Sequence, residues 1–92
     1  MTYTAEVYYT SVKGQPKSKK YPQFDARNDN HAIRRIVKTA DHSIPAMHFR
    51  INVWEEDRGV AHICCGKVYG AGYVTVNDVK YDPSDWVEHF PG

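Results

Sequence analysis

One stretch of this chain carries a helical stripe long enough to bury a face. Ile33, Ile36, Val37 and Ala40 fall at i, i+3, i+4 and i+7, the spacing that lines up apolar side chains on one side of an α-helix. The segments on either side alternate instead. If Thr2 to Val12 is extended, Tyr3, Ala5, Val7 and Tyr9 face one way and Thr4, Glu6, Tyr8 and Thr10 the other. Met47, Phe49, Ile51 and Val53 alternate in the same manner with His48, Arg50, Asn52 and Trp54. The simplest way to bury all three apolar sets is to lay the helix on one face of a sheet, so that its stripe meets Val7, Phe49, Ile51 and Val53.

Turn and cap chemistry divides the rest. Lys13-Gly14-Gln15-Pro16-Lys17-Ser18 reads as a turn. Lys19 to Ala26 then returns as a second strand, giving a long hairpin with a lysine-rich tip. Pro22 has no N–H to give to a ladder, which predicts an edge position for that strand. Asn28 or Asp29 can cap a helix over 29–41. Pro45 stops it by about Asp41 or His42. Glu55 to Gly59 reads as the next turn, with Gly59 as the residue suited to positive φ, and Val60 to Val68 as the returning strand. Gly66, Gly70 and Gly72 loosen the segment up to Tyr73. Val74–Val76 and Val79–Tyr81 flank Asn77-Asp78, a two-residue hairpin turn. Asp82 and Pro83 suit the cap and first position of a terminal helix that docks Trp86, Val87 and Phe90. The expected fold is α+β: an antiparallel sheet with one packed helix in the order β-β-α-β-β, plus a small C-terminal hairpin and a short helix. Residues 1–92 form a single domain, with no repeat, low-complexity tract or linker.

Size limits what such a domain can do. A chain of 92 residues buries roughly two thirds of its unfolded surface, enough for one core and little for a deep catalytic cleft. Apolar residues at 41% and charged residues at 25% exclude a disordered or collagen-like chain. Apolar runs of only a few residues exclude a membrane-spanning helix. No basic-then-apolar leader is visible at the N-terminus. The two cysteines, adjacent at 64 and 65, cannot make a disulfide framework and point to a reducing cytoplasm.

Catalytic and metal motifs are sparse. His62, Cys64 and Cys65, with His42 and His48, include zinc-ligand types, but the spacing is not that of a zinc knuckle. In a strand His62 and Cys64 share a face and Cys65 points into the core. A Cys–His nucleophile pair is thus sterically possible, with no third group identifiable from the sequence. Glu55-Glu56-Asp57 lacks calcium-loop spacing, and the glycines lie in no phosphate-loop order. No catalytic residue, metal, cofactor or small-molecule substrate is expected.

Charge placement is more informative. The formal net charge is +1, yet residues 1–50 hold nine Lys/Arg against four Asp/Glu, and residues 51–92 hold three against seven. His31, Arg34, Arg35 and Lys38 share one broad helical face, with Asn30 and Arg27 at its start. Lys13, Lys17, Lys19 and Lys20 crowd the first hairpin. Folded together, these make one positive surface suited to phosphates or an acidic protein groove, with Tyr8, Tyr9 and Tyr21 available for stacking or interface contacts. The acidic C-terminal half limits non-specific affinity for free duplex DNA, so a partner carrying both charge signs, such as a ribonucleoprotein, fits better.

In size and order of elements the chain resembles phage-encoded anti-CRISPR proteins that inhibit type I-F surveillance complexes. The strand Thr2–Val12, the lysine-bearing loop, the helix Asp29-Asn30-His31-Ala32-Ile33-Arg34-Arg35-Ile36-Val37-Lys38 and the hairpin Met47–Val68 carry the resemblance, which rests on no motif. It implies a stoichiometric inhibitor that binds Cas proteins of a crRNA-guided complex in the bacterial cytosol, in some cases touching the guide RNA, and blocks target DNA. The residues to which this role falls are the exposed polar ones: Lys17, Lys19, Lys20, Arg27, Asn30, His31, Arg34, Arg35 and Lys38. The acidic C-terminal half departs from an all-acidic DNA mimic. Other readings are a free-standing nucleic-acid-binding module, a small ribonuclease built from His, Tyr, Arg and Lys, and a protein–protein module without nucleic-acid contact.

Overall fold

Asn28 decides where the helix begins. Its backbone is extended and its side chain accepts a hydrogen bond from the His31 N–H at 2.8 Å, so α1 runs over Asp29–Ser43. The computed structural model describes residues 1–66 and 72–90. Ahead of α1 lie β1 (Thr2–Thr10), β2 (Pro16–Lys20) and β3 (Phe24–Asp25). After it come β4 (His48–Glu55), β5 (Arg58–Gly66), β6 (Tyr73–Val76), β7 (Val79–Tyr81) and α2 (Pro83–His89). The strands form one antiparallel sheet in the order β2-β1-β4-β5-β6-β7, with β3 also paired to β1. This is the α+β architecture the alternation implies.

The core lies between α1 and one face of the sheet. Ala32, Ile33, Ile36, Val37 and Ala40 of the stripe are buried. They meet Tyr3, Ala5 and Val7 of β1, Phe49, Ile51 and Val53 of β4, and Ala61, Ile63 and Cys65 of β5 in one cluster. Directly opposed pairs such as Val7 with Ile51 and Ile51 with Ile63 keep the apolar sets in register. A one-residue slip would turn each set out to solvent. Ile44 caps the helix in extended geometry just before Pro45, so the stop falls slightly later than expected.

Three local expectations change. The returning strand of the first hairpin starts at Pro16 and breaks beyond Lys20, where Pro22 separates β2 from β3. Both pieces pair with the same edge of β1, the edge position that a missing N–H requires. Lys17, Lys19 and Lys20 therefore lie along a strand, while Lys13 alone stays in the turn. In the second hairpin Glu56 takes positive φ (52°) and Gly59 does not. The turn is shorter than expected, because Arg58 already pairs with Glu55 and Gly59 with Trp54. The register shifts between Val53 and Trp54, where Val60 falls between their partners Ala61 and Gly59. The Asn77-Asp78 turn forms as read, with φ of 49° and 70° at its two residues. Asp82 caps α2 by accepting from the Asp85 N–H, with Pro83 in the first turn. The continuation of β5 to Val68, the loosening about Gly70 and the docking of the Val87 side chain lie outside the described residues.

A polar clasp ties the helix start to the sheet. The Tyr3 hydroxyl donates to Asp29 Oδ1 at 2.8 Å, and the Arg58 guanidinium donates to both Asp29 oxygens at 2.8 and 2.9 Å and to Glu55 at 3.0 Å. Burial and the bond to Asp29 push the Tyr3 phenol up to about 12. The Arg58 guanidinium holds the Asp29 carboxyl below the usual carboxylate range. That contribution to stability is therefore present above the unfolded carboxylate's pKa and is lost as pH falls through the depressed folded value. Asp29→Asn is expected to lower the thermal midpoint at neutral pH, and the gap to wild type should close as both are titrated into acid. Thermal melts at a series of pH values check this. Ile36 is almost fully buried, and burying such a side chain is worth about 1.5–3 kcal/mol. Ile36→Asp loses that and buries a charge, so circular dichroism should show no cooperative unfolding transition.

Candidate functional site

The basic residues of the N-terminal half do not form one patch. They divide by the flank of α1 on which they lie. Arg35 donates to the Asp25 carbonyl of β3 and stands over the Phe24 ring at 5.9 Å. Arg34, the next residue, points to the other side. It donates to the Phe90 carbonyl at 3.2 Å and lies over the Trp86 ring at 5.8 Å. Both arginines therefore act as struts. One fastens the helix to the sheet edge, and the other fastens the C-terminal helix to α1.

His31 is not part of the positive charge. Its Nδ1 accepts from the Arg27 backbone N–H at 3.0 Å, which requires an unprotonated nitrogen there. Desolvation, reinforced by Arg27 and Arg35, lowers its pKa below the ordinary 6.5. Lys38 is exposed, and with His31, Arg34, Arg35 and Thr39 it borders a shallow depression on the outer surface of α1. Arg27 and Asn30 are exposed at the start of the helix, and Asn30 lies near Met1 and Arg58.

The lysines of β2 alternate between faces. Lys17 opposes Tyr9 and Lys19 opposes Val7, which puts both on the helix side of the sheet. Lys20 opposes Glu6 and points to the other side. Lys19 Nζ lies 5.0 Å from the Tyr21 ring centroid, and the Tyr21 hydroxyl hydrogen-bonds Ser43 at the end of α1. Tyr21 is itself buried, so it offers no stacking surface. Every β2 residue is exposed, and lysines and proline on an outermost strand also serve to block edge-to-edge pairing with another chain. Lys17 and Lys19 are exposed on the sheet edge, Arg35 and Lys38 on the outer surface of α1, and Arg27 just ahead of the helix. Among the described residues the ion pairs are those of Arg58 with Asp29 and Glu55, so none of these flank cations is neutralised by a carboxylate in contact.

The sheet's other face was not legible as a site in the sequence. No helix covers it. Across the strands, Ser18, Tyr8, Arg50, Cys64, Thr75 and Lys80 stand side by side in one row. In the neighbouring row Lys20, Glu6, Asn52 and His62 do the same. His62 Nδ1 is 2.7 Å from Asn52 Oδ1, and Cys64 Sγ is 3.8 Å from His62 Nε2. Asn52 is thus the third group that the spacing of the Cys–His pair could not supply. A covalent mechanism also needs donors aimed at a developing oxyanion. β5 is paired on both sides, so the strand N–H groups around Cys64 are committed to ladders. Cys65 points into the core, as expected.

Compared with protein families, with curated proteins and with solved structures, the chain matches none. No helix among the described residues is long and apolar enough to cross a membrane. The strut role of Arg34 is open to direct measurement. A hydrogen bond from a charged donor is worth about 1.5–3 kcal/mol. Arg34→Ala should lower urea stability by about that much and raise amide exchange over 83–90 before it affects β1 or β4.

Proposed function

We propose that this protein acts by binding, as a stoichiometric inhibitor that docks on a crRNA-guided surveillance complex and keeps target DNA from it. The carrying observation is the unneutralised flank. Arg35 reaches from α1 to Asp25 of β3, which pairs with β1 as the lysine-bearing β2 does, and Lys38 is exposed on the same helix. These charges stand on a rigid two-layer scaffold and need no reordering to meet a phosphate-lined or acidic groove. Surplus acid in residues 51–92 weakens attraction to bare duplex and favours a partner that also presents positive protein surface. In this reading Lys17, Lys19, Arg27 and Lys38 contact the partner, while Arg34 and Arg35 hold the surface in shape. The bacterial cytosol is the compartment where such a target is met.

That division of labour sets the test. Reversing Arg34 and Arg35 would also break fold contacts, so the informative variant is Lys17→Glu with Lys19→Glu and Lys38→Glu. With purified surveillance complex and a labelled target duplex, wild-type protein is expected to suppress DNA binding near equimolar ratio. The triple variant, with its melting curve intact, should need at least about tenfold more protein. Unchanged inhibition by the variant, or none by the wild type, sinks the reading.

A further inference from the structure

We propose that the uncovered face of the sheet is a second binding surface, which takes single-stranded nucleic acid by stacking bases on Tyr8 and holding phosphates with Lys20, Arg50 and Lys80. It stands independently of the inhibitor reading, because this face and the helix flank lie on opposite sides of the sheet.

The chemistry of the face argues for that occupant. Its outward strand positions carry Lys20, Arg50 and Lys80, the imidazoles of His48 and His62, and two acids, Glu6 and Asp25, the second accepting a hydrogen bond from Thr2 at the end of β1. No ion pair among the described residues engages those three cations. Tyr8 is 40% exposed although it stands in a strand interior, and its ring has cross-strand neighbours Ser18 and Arg50. The carboxylate of Glu6 on the same face raises the pKa of the Tyr8 phenol. At the far end Tyr73 lies so close over Gly66 that a Cβ there would fall 2.5 Å from the ring. Lys80 sits 5.3 Å from the same ring's centroid. The face therefore has a ring beside a cation near each end.

Geometry selects a single strand. Six strands at roughly 4.8 Å spacing give a row about 24 Å long, room for a short run of nucleotides. A flat sheet cannot enter a duplex groove deeply enough to read it, whereas splayed bases can lie on exposed rings. The outward positions of β1, β2 and β4 hold Thr, Pro, Ser, Lys, Glu, Tyr, His, Arg, Asn and Trp, with Pro16 at one end and no aliphatic patch of the kind that a second copy of the chain or an apolar protein surface would bury. RNA and DNA share the stacking and phosphate chemistry, and the experiment separates them.

The measurement is fluorescence anisotropy of the full chain with a labelled mixed-sequence oligonucleotide of about 12 nucleotides, as RNA, as DNA, and as RNA annealed to its complement. Binding of either single strand, at least about tenfold tighter than the duplex and falling steeply with salt, supports the proposal. Tyr8→Ala should weaken that binding by roughly five- to a hundredfold, and Tyr8→Phe should keep most of it. Arg50→Gln should reduce the salt slope by about one phosphate's worth. Lys17→Glu with Lys19→Glu and Lys38→Glu should change affinity less than Arg50→Gln does. Absence of binding at low salt, equal affinity for the duplex, or a loss that follows the flank lysines and ignores Tyr8 and Arg50 overturns it. Since Tyr8 and Arg50 are exposed, circular dichroism of each variant is expected to match wild type. The flank variant and the face variants separate failure of this proposal from failure of the inhibitor reading.

Discussion

A single long helix has to close a wide sheet, and much of the structure results from that mismatch. At 1.5 Å per residue the fifteen residues of α1 extend about 22 Å, enough to cover the middle strands on one side. Its stripe meets β1, β4 and β5, where the fully buried side chains Tyr3, Val7, Ile51, Val53 and Ile63 lie. The short α2 extends the cover over the C-terminal hairpin, where Trp86 and Tyr81 stack on or abut Phe90. Among the described residues neither helix lies on the opposite face, and the alternation of β1 and β4 places polar and aromatic residues there.

Cations serve several purposes in this arrangement. Arg58 clasps Asp29 and Glu55, Arg34 reaches the Phe90 carbonyl, and Arg35 reaches Asp25. Each bridges elements whose packing alone leaves a seam. Among the described residues the lysines make no ion pair, though Lys19 and Lys80 lie over tyrosine rings, and they keep their charge at the surface as a flexible ammonium on a long stem does. A functional role based on positive charge therefore falls to the lysines, Arg27 and Arg50. The bracing arginines belong with the caps and the core.

The main elements were legible because local physics and tertiary packing agree. The helix stripe, the Asn28 cap, the Pro45 stop, the Asn77-Asp78 turn and the Asp82-Pro83 start are short-range signals, and each appears at or close to its expected position. Expectations failed where a residue's role depends on a distant strand. The lysine tip became an edge strand because the pairing of β1 with residues 16–20 runs further than the turn composition suggests. Gly59 lost its expected role because the register of β4 and β5 sets the turn at Glu56 and Asp57. His31 looked like a cation until the fold placed the Arg27 N–H against its ring. Asn52 could not be joined to His62, nor Tyr8 to Arg50, before strand order was known.

From the sequence alone come the α+β class, the one helix with its buried stripe, the edge position of the Pro22 strand and the uneven distribution of charge. Periodicity and caps act over a few residues and need no partner to be recognised. The tertiary structure alone decides which cations stay free, that Arg34 and Arg35 serve opposite flanks, and that Lys20, Tyr8, Arg50 and Lys80 stand on one open face. Those facts depend on strand order and register, which bring together residues as far apart as Tyr8 and Lys80.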